Sequence, residues 1–191
     1  MSKSKSFNED AVLRGAWRRA FLRFPIIKEI LIANTRYVPR FNQDGGRAKK
    51  DSKELLCNVC KQWVKASVGG KNNVQVDHII PVIDVTDISG KVKDWNVYKA
   101  RLVCDKTNLQ IICTPCHDSK TKIERDTRST LRDRIKLDEI EKHITYAKSI
   151  TEEKHIKKEI NKFLTKTKTK ETKERATKLK ELLIQRLTRE D

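Results

Sequence analysis

Four cysteines in two pairs, Cys57-Asn-Val-Cys60 and Cys113-Thr-Pro-Cys116, stand at a spacing that suits metal chemistry. Two residues between thiolates let both sulfurs reach one ion, and two such knuckles complete a tetrahedron of Zn–S bonds of about 2.3 Å. A single C-x-x-C is weak, and redox dithiols or unrelated buried cysteines are its rivals. Two knuckles in one chain predict a structural zinc. A site closed by four thiolates has no open position, so it braces the chain and does no chemistry itself. The fifth cysteine, Cys104, lacks a partner at this spacing and reads as a buried apolar thiol.

Between the knuckles lie residues that could do chemistry. Asn73 to Pro81 alternates valines with polar residues and closes on a proline, which predicts a strand ending in a turn at Asp77-His78. Adjacent strand residues point to opposite sides, but at a kinked strand end both can border one site. Asn108-Leu-Gln-Ile-Ile predicts a second strand. Thr114 then fits a helix N-cap and Pro115 a first helical residue, so Cys116 and His117 fall in the first turn of a helix running on through Lys122. A helix N-terminus offers free N–H groups and positive potential, which suits a phosphate. Taken singly these residues stay ambiguous. An Asp-His dipeptide is often mere surface, Asn108 fits a simple turn, and His117 fits a zinc ligand or a solvated helix position.

The ordered set Cys57-x-x-Cys60, Val-Asp77-His78-Ile-Ile-Pro, Asn108-Leu-Gln-Ile-Ile-Cys113-x-x-Cys116-His117-x-x-Lys120 resembles the HNH endonucleases, notably the phage and bacterial members whose zinc knuckles flank the motif. The resemblance covers roughly residues 55–123. It implies an α+β chain with a small ββα-metal core and hydrolysis of DNA phosphodiester bonds with one catalytic divalent ion. It implies His78 as the general base and Asp77 and His117 as ligands of that ion. It implies Asn108 as the residue that holds the loop, orients His78 or approaches the metal. Many relatives carry a second histidine one helical turn after the last motif residue, where this chain has Thr121. A carboxylate, an imidazole and waters suit Mg²⁺, Mn²⁺ or Ni²⁺.

Three regions would position these residues. Residues 1–50 read as a basic helical arm, 51–126 as the nuclease core and 127–191 as a charged helical extension. The arm begins at Asn8-Glu9-Asp10, a plausible helix start. Leu13, Trp17, Phe21 and Phe24 follow at helical spacing, and Pro25 breaks the helix. Arg14, Arg18, Arg19 and Arg23 lie between the apolar positions, and with Lys120 they are the expected DNA contacts. Residues 26–31 suggest a second short helix, and residues 47–50 a flexible basic link. Asp94 to Leu102 reads as a capped helix with Trp95, Tyr98 and Leu102 on one face. In the extension, Ile135, Leu137, Ile140, Ile144, Ala147, Ile156, Ile160, Leu164, Leu179, Leu182, Leu183 and Leu187 form helical stripes on polar segments. A helical hairpin would fit, as would helices for a protein partner or self-association, and so would DNA binding through the lysines of these segments.

Composition points the same way. Lys plus Arg number 43 against 26 Asp plus Glu, a net charge of +17, and such an excess calls for a polyanionic partner such as DNA. No apolar run approaches the ~18 residues of a membrane span, and the opening residues lack the apolar stretch of a signal peptide. The expected location is the cytoplasm, that of the host cell if a phage encodes the chain. The competing expectation is a zinc-braced DNA-binding or assembly accessory, for instance of a phage packaging machine, with weak catalysis or none.

Overall fold

The computed structural model describes residues 7–147 and 149–187, and the chain divides into two compact units, residues 1–123 and 124–191. Its class is α+β. No helix among the described residues is long and apolar enough to cross a membrane.

The first unit opens with α1 (Glu9–Phe21) and α2 (Pro25–Ala33). Asn8 caps α1 by accepting a hydrogen bond from the Ala11 amide at 3.0 Å. Glu9 and Asp10 in the first turn and Arg18 and Arg19 in the last complement the helix dipole. Pro25 takes the first turn of α2, where its missing N–H costs nothing.

Three strands follow, β1 (Thr35–Val38), β2 (Ser52–Leu56) and β3 (Trp63–Lys65), paired antiparallel in that order. Arg36 ties β1 to β2 through Glu54 at 2.8 Å and lies 4.4 Å over the Trp63 ring of β3. The expected flexible link at 47–50 is held: Arg47 bridges to Phe41, and Ala48 is buried. A small hairpin, β4 (Ser67–Val68) and β5 (Lys71–Asn72), turns on Gly69 and Gly70. Both have positive φ, 57° and 74°, as a tight two-residue hairpin turn demands.

The elements that carry the chemical motifs come next. β6 (Val74–His78) pairs antiparallel with β7 (Leu109–Cys113), setting Asp77 opposite Gln110 and His78 opposite Leu109. Between them, Asp94 caps α3 (Trp95–Leu102) through the amides of Asn96 and Val97, and a 3₁₀ turn (Lys106–Asn108) leads into β7. β7 runs directly into α4 (Thr114–Tyr146).

Phe21, Ile27, Ile30, Leu55, Tyr98, Leu102, Leu109 and Ile111 form the main core of this unit. The segment expected as a separate arm therefore supplies part of that core: its apolar stripe has no other surface to bury against. Ile112 turns from this core to a second small cluster with Cys57 and Cys113, so β7 is buried on both faces.

The described residues of the second unit form helices joined by short connections. These are the later turns of α4, then α5 (Ile150–Leu164) and α6 (Lys170–Leu187). Ser149 caps α5 by accepting from the Glu152 amide at 3.3 Å. Leu137, Ile140, Ala147, Ile156, Ile160, Phe163, Ala176, Leu179 and Leu183 make one apolar core. Ile135 and Leu182, expected on the same stripes, are exposed, and the side chain of Leu187 lies outside the described residues.

Candidate functional site

The two knuckles meet. The four sulfurs of Cys57, Cys60, Cys113 and Cys116 all lie within 4.8 Å of one another, and Cys60 and Cys113 are 4.0 Å apart. A tetrahedron with Zn–S bonds of about 2.3 Å has edges near 3.8 Å, so the spacing fits one shared ion. It is far too long for a disulfide of about 2.05 Å. These cysteines could hold a metal ion such as zinc.

Local backbone explains the convergence. Cys57 ends β2's run, and the chain reverses through Lys61, whose φ of 59° is left-handed. The Lys61 amide returns to the Cys57 carbonyl, and the Cys57 amide to the Gln62 carbonyl, both at 2.9 Å. Asn58 fastens this loop to β7. Its amide donates to the Ile111 carbonyl at 2.7 Å, and its side-chain oxygen accepts from the Ile111 amide at 3.2 Å. The second pair sits where β7 becomes α4.

The thiols are electrostatically unequal. Burial raises the Cys57 thiol, but the backbone amides of Cys113, Cys60 and Val59 outweigh it and bring the group down to about 6. Cys116 is pushed up to about 12, first by its hydrogen bond with Cys113 and then by burial and the neighbouring Cys60 and Cys57 sulfurs. Burial also raises Cys113. Such a set holds one sulfur ready as thiolate while the others share protons, and a cation would displace those protons.

A second polar cluster gathers where β6, β7 and α4 meet. The His78 ring is half-buried, its Nε2 2.9 Å from the Leu102 carbonyl and its face 5.5 Å from the Phe21 ring. Asn108 closes the loop just after His78. Its Oδ1 accepts from the Ile80 amide at 2.8 Å, and its own carbonyl accepts from the Ile79 amide at 2.9 Å. The Asn108 amide also reaches Cys104 Sγ at 3.7 Å. Cys104 is half-buried, and burial raises its thiol.

Asp77 is engaged by the chain itself. Lys120 Nζ lies 2.5 Å from Asp77 Oδ2 and also donates to the His78 carbonyl, while Gln110 Nε2 stands 3.5 Å from the same carboxylate oxygen. His117, half-exposed in the first turn of α4, has its Nδ1 3.9 Å from Asp118 and stays outside the thiol group. Among the described residues, no second group of three or more His, Cys, Asp or Glu ligands converges as the cysteines do.

Of the residues expected at DNA, Arg18, Arg19 and Arg23 are exposed on or just after α1. Arg14 is turned inward, donating to the carbonyls of Asp10 and Gly90 at 3.2 and 3.1 Å. Lys120 is likewise occupied within the chain. The roles of Leu102, Gln110 and Phe21 escaped the sequence. The Asp77–Gln110 pairing was available in principle, since it follows once β6 and β7 are placed in register.

No family model, no curated protein and no solved structure matches this chain.

Proposed function

We propose that this protein is a metal-dependent HNH endonuclease that hydrolyses DNA phosphodiester bonds, with β6, β7 and the start of α4 as its ββα-metal core and zinc in the four-cysteine site. The observation that carries this is the setting of His78. Its ring is pinned by a backbone carbonyl, and the chain beside it is clamped by Asn108, the middle residue of the motif.

An imidazole whose Nε2–H donates to the Leu102 carbonyl keeps the lone pair of Nδ1 for a proton. That is the arrangement a general base needs, because the tautomer is set before water arrives. The packed Phe21 ring limits rotation, and Asn108 fixes the height of the strand end. Asp77 and His117 would hold the catalytic cation, and their carboxylate and imidazole donors fit Mg²⁺, Mn²⁺ or Ni²⁺. Such an ion supplies charge to offset the growing negative charge on the phosphate. For Asp77 to serve, Lys120 must give way or share the carboxylate.

That lysine is also the observation favouring a second reading, a zinc-braced DNA-binding or assembly accessory without cleavage, because an ion pair can replace the catalytic cation. Plasmid nicking in Mg²⁺, Mn²⁺ and Ni²⁺ separates the two. On the nuclease reading, the chain nicks plasmid, and His78→Ala lowers the rate by about 10²–10⁴-fold with zinc content and DNA affinity unchanged. Equal rates for the two proteins would remove His78 from the chemistry. No nicking in any of the three metals would favour the accessory.

A further inference from the structure

The second unit carries its own cavity, lined by charged side chains and Phe163 and remote in sequence from the cysteine and Asp77-His78 motifs. It has a volume of about 490 Å³ and is formed by α4 and α5. Phe163, 4% exposed, lies at its base. Its rim carries the cations of Lys158, Lys162, Lys166 and Lys136, with the His155 ring beside them. Lysines four residues apart on a helix stand about 6 Å apart on one side. The first two therefore form a row along α5, which Lys166 extends just past the helix end.

Two acids line the same cavity, and both are already engaged. Asp133 accepts from the Thr167 hydroxyl at 2.6 Å. Glu159 takes Lys136 at 3.0 Å, with His143 at 3.9 Å from its other oxygen. Lys158, Lys162 and Lys166 are exposed and make no ion pair among the described residues. The row is a local surplus of positive charge left after the internal pairs are made.

We infer that this row is a docking surface for the phosphate backbone of a nucleic acid. A linear array of cations along the rim of a trough complements a linear array of phosphates, and the net charge of +17 favours the same partner over the whole chain. A membrane surface fits less well. Ile156, Ile160 and Phe163 of α5 are at most 5% exposed and Leu164 is half-buried against the same core, so these side chains form no greasy face to insert. With no aromatic ring exposed in the trough and no acceptor pattern for base edges, the contact would be indifferent to sequence.

The test uses the full chain carrying K158Q, K162Q and K166Q together, since glutamine keeps helix propensity. A control of equal charge carries K71Q, K91Q and K142Q at exposed positions elsewhere. Binding of a fluorescent duplex is followed by anisotropy against salt, with no divalent ion added, so that the result does not depend on whether the protein cuts. Circular dichroism checks that both variants keep the parent's helicity. The row variant should flatten the slope of log affinity against log salt by roughly 2 to 3, at about 0.9 per lost phosphate contact, and the control by less than one. Equal losses in the two variants would show only a net-charge effect and overturn the inference, as would an unchanged slope in the row variant. Retained DNA binding with lost binding to phosphatidylserine vesicles would overturn it too.

Discussion

The first unit combines three helices with strands of two to five residues, and its motif-bearing pair, β6 with β7, joins segments separated by α3, whereas the second is three helical segments around one apolar core. In the first, β7 is squeezed between the main core and the thiol cluster, and a knuckle loop is fastened to it by Asn58. In the second, cap residues and apolar stripes suffice. The difference is one of what holds each fold: four cysteines gathered at a single point, which a metal ion could tie together, against burial distributed along helices. It also separates functions, since every residue proposed for chemistry lies in the first unit.

Taking out the bracket should have the largest effect. Cys57→Ser, or stripping metal with a strong chelator, removes a contribution that reaches about 10–16 kcal/mol in small zinc domains. Amide exchange should then rise sharply in β2, β3 and β7 while α5 and α6 keep their protection. If α5 and α6 lost protection equally, the two units would share one transition and the contrast would be wrong.

The reverse experiment strikes the second core. Ile160 is fully buried, and Ile160→Ala should cost about 2–5 kcal/mol through lost burial and the cavity left behind. Zinc content and any nicking activity should stay at the parent level. A fall in bound zinc would contradict the separation.

Proton release sharpens the picture of the bracket. Because Cys57 is held at about 6, it is already largely thiolate at pH 7.5, so zinc uptake by the four thiols should release fewer than four protons per ion. Cys113 and Cys116 are held above the ordinary thiol value and must lose protons to bind, so zinc affinity should fall as pH falls. Calorimetry in buffers of different ionisation enthalpy measures the proton count. A count of four would mean that the amides around Cys57 do not lower its thiol.

The smallest effect belongs to the surface of the second unit. Arg175 pairs with Asp138 at 2.7 Å and Glu141 at 2.5 Å, but all three side chains are well exposed, so Arg175→Ala should cost under about 1 kcal/mol. A thermal shift as large as that of Ile160→Ala would show that ion pairs, rather than burial, hold those helices.

Local signals were legible in the sequence, and long-range pairings were not. The Asn8 and Asp94 caps, the break at Pro25, the strand through Asp77-His78 and the strand after Asn108 each rest on neighbouring residues. So does the geometry within each C-x-x-C pair, whereas the meeting of the two pairs was inferred from their both suiting one ion. β1 and β2 went unread because Thr35–Val38 and Ser52–Leu56 are short, carry Arg36, Lys53 and Glu54, and find each other only across an intervening loop. The continuity of α4 was also missed. Its residues after Pro115 include no glycine or proline, so nothing ends the helix before Tyr146. At the candidate site, residue types were readable, but the hold of Lys120 on Asp77 depends on packing three elements together.

The two hydrogen bonds between Asn58 and Ile111 have a consequence for solubility. β7 gives one edge to β6, and its other edge would expose the amide and carbonyl of Ile111 within the segment Leu-Gln-Ile-Ile-Cys. Such a short, uncharged, β-branched segment with an open edge is a template for foreign strands. Asn58 occupies that edge like a one-residue strand and takes up both backbone groups of Ile111 at its centre. The loop that carries Asn58 is the same one that carries Cys57 and Cys60. If the four cysteines hold an ion as proposed, its loss would unlatch the guard as well as the fold, and aggregation through β7 would be the first visible sign.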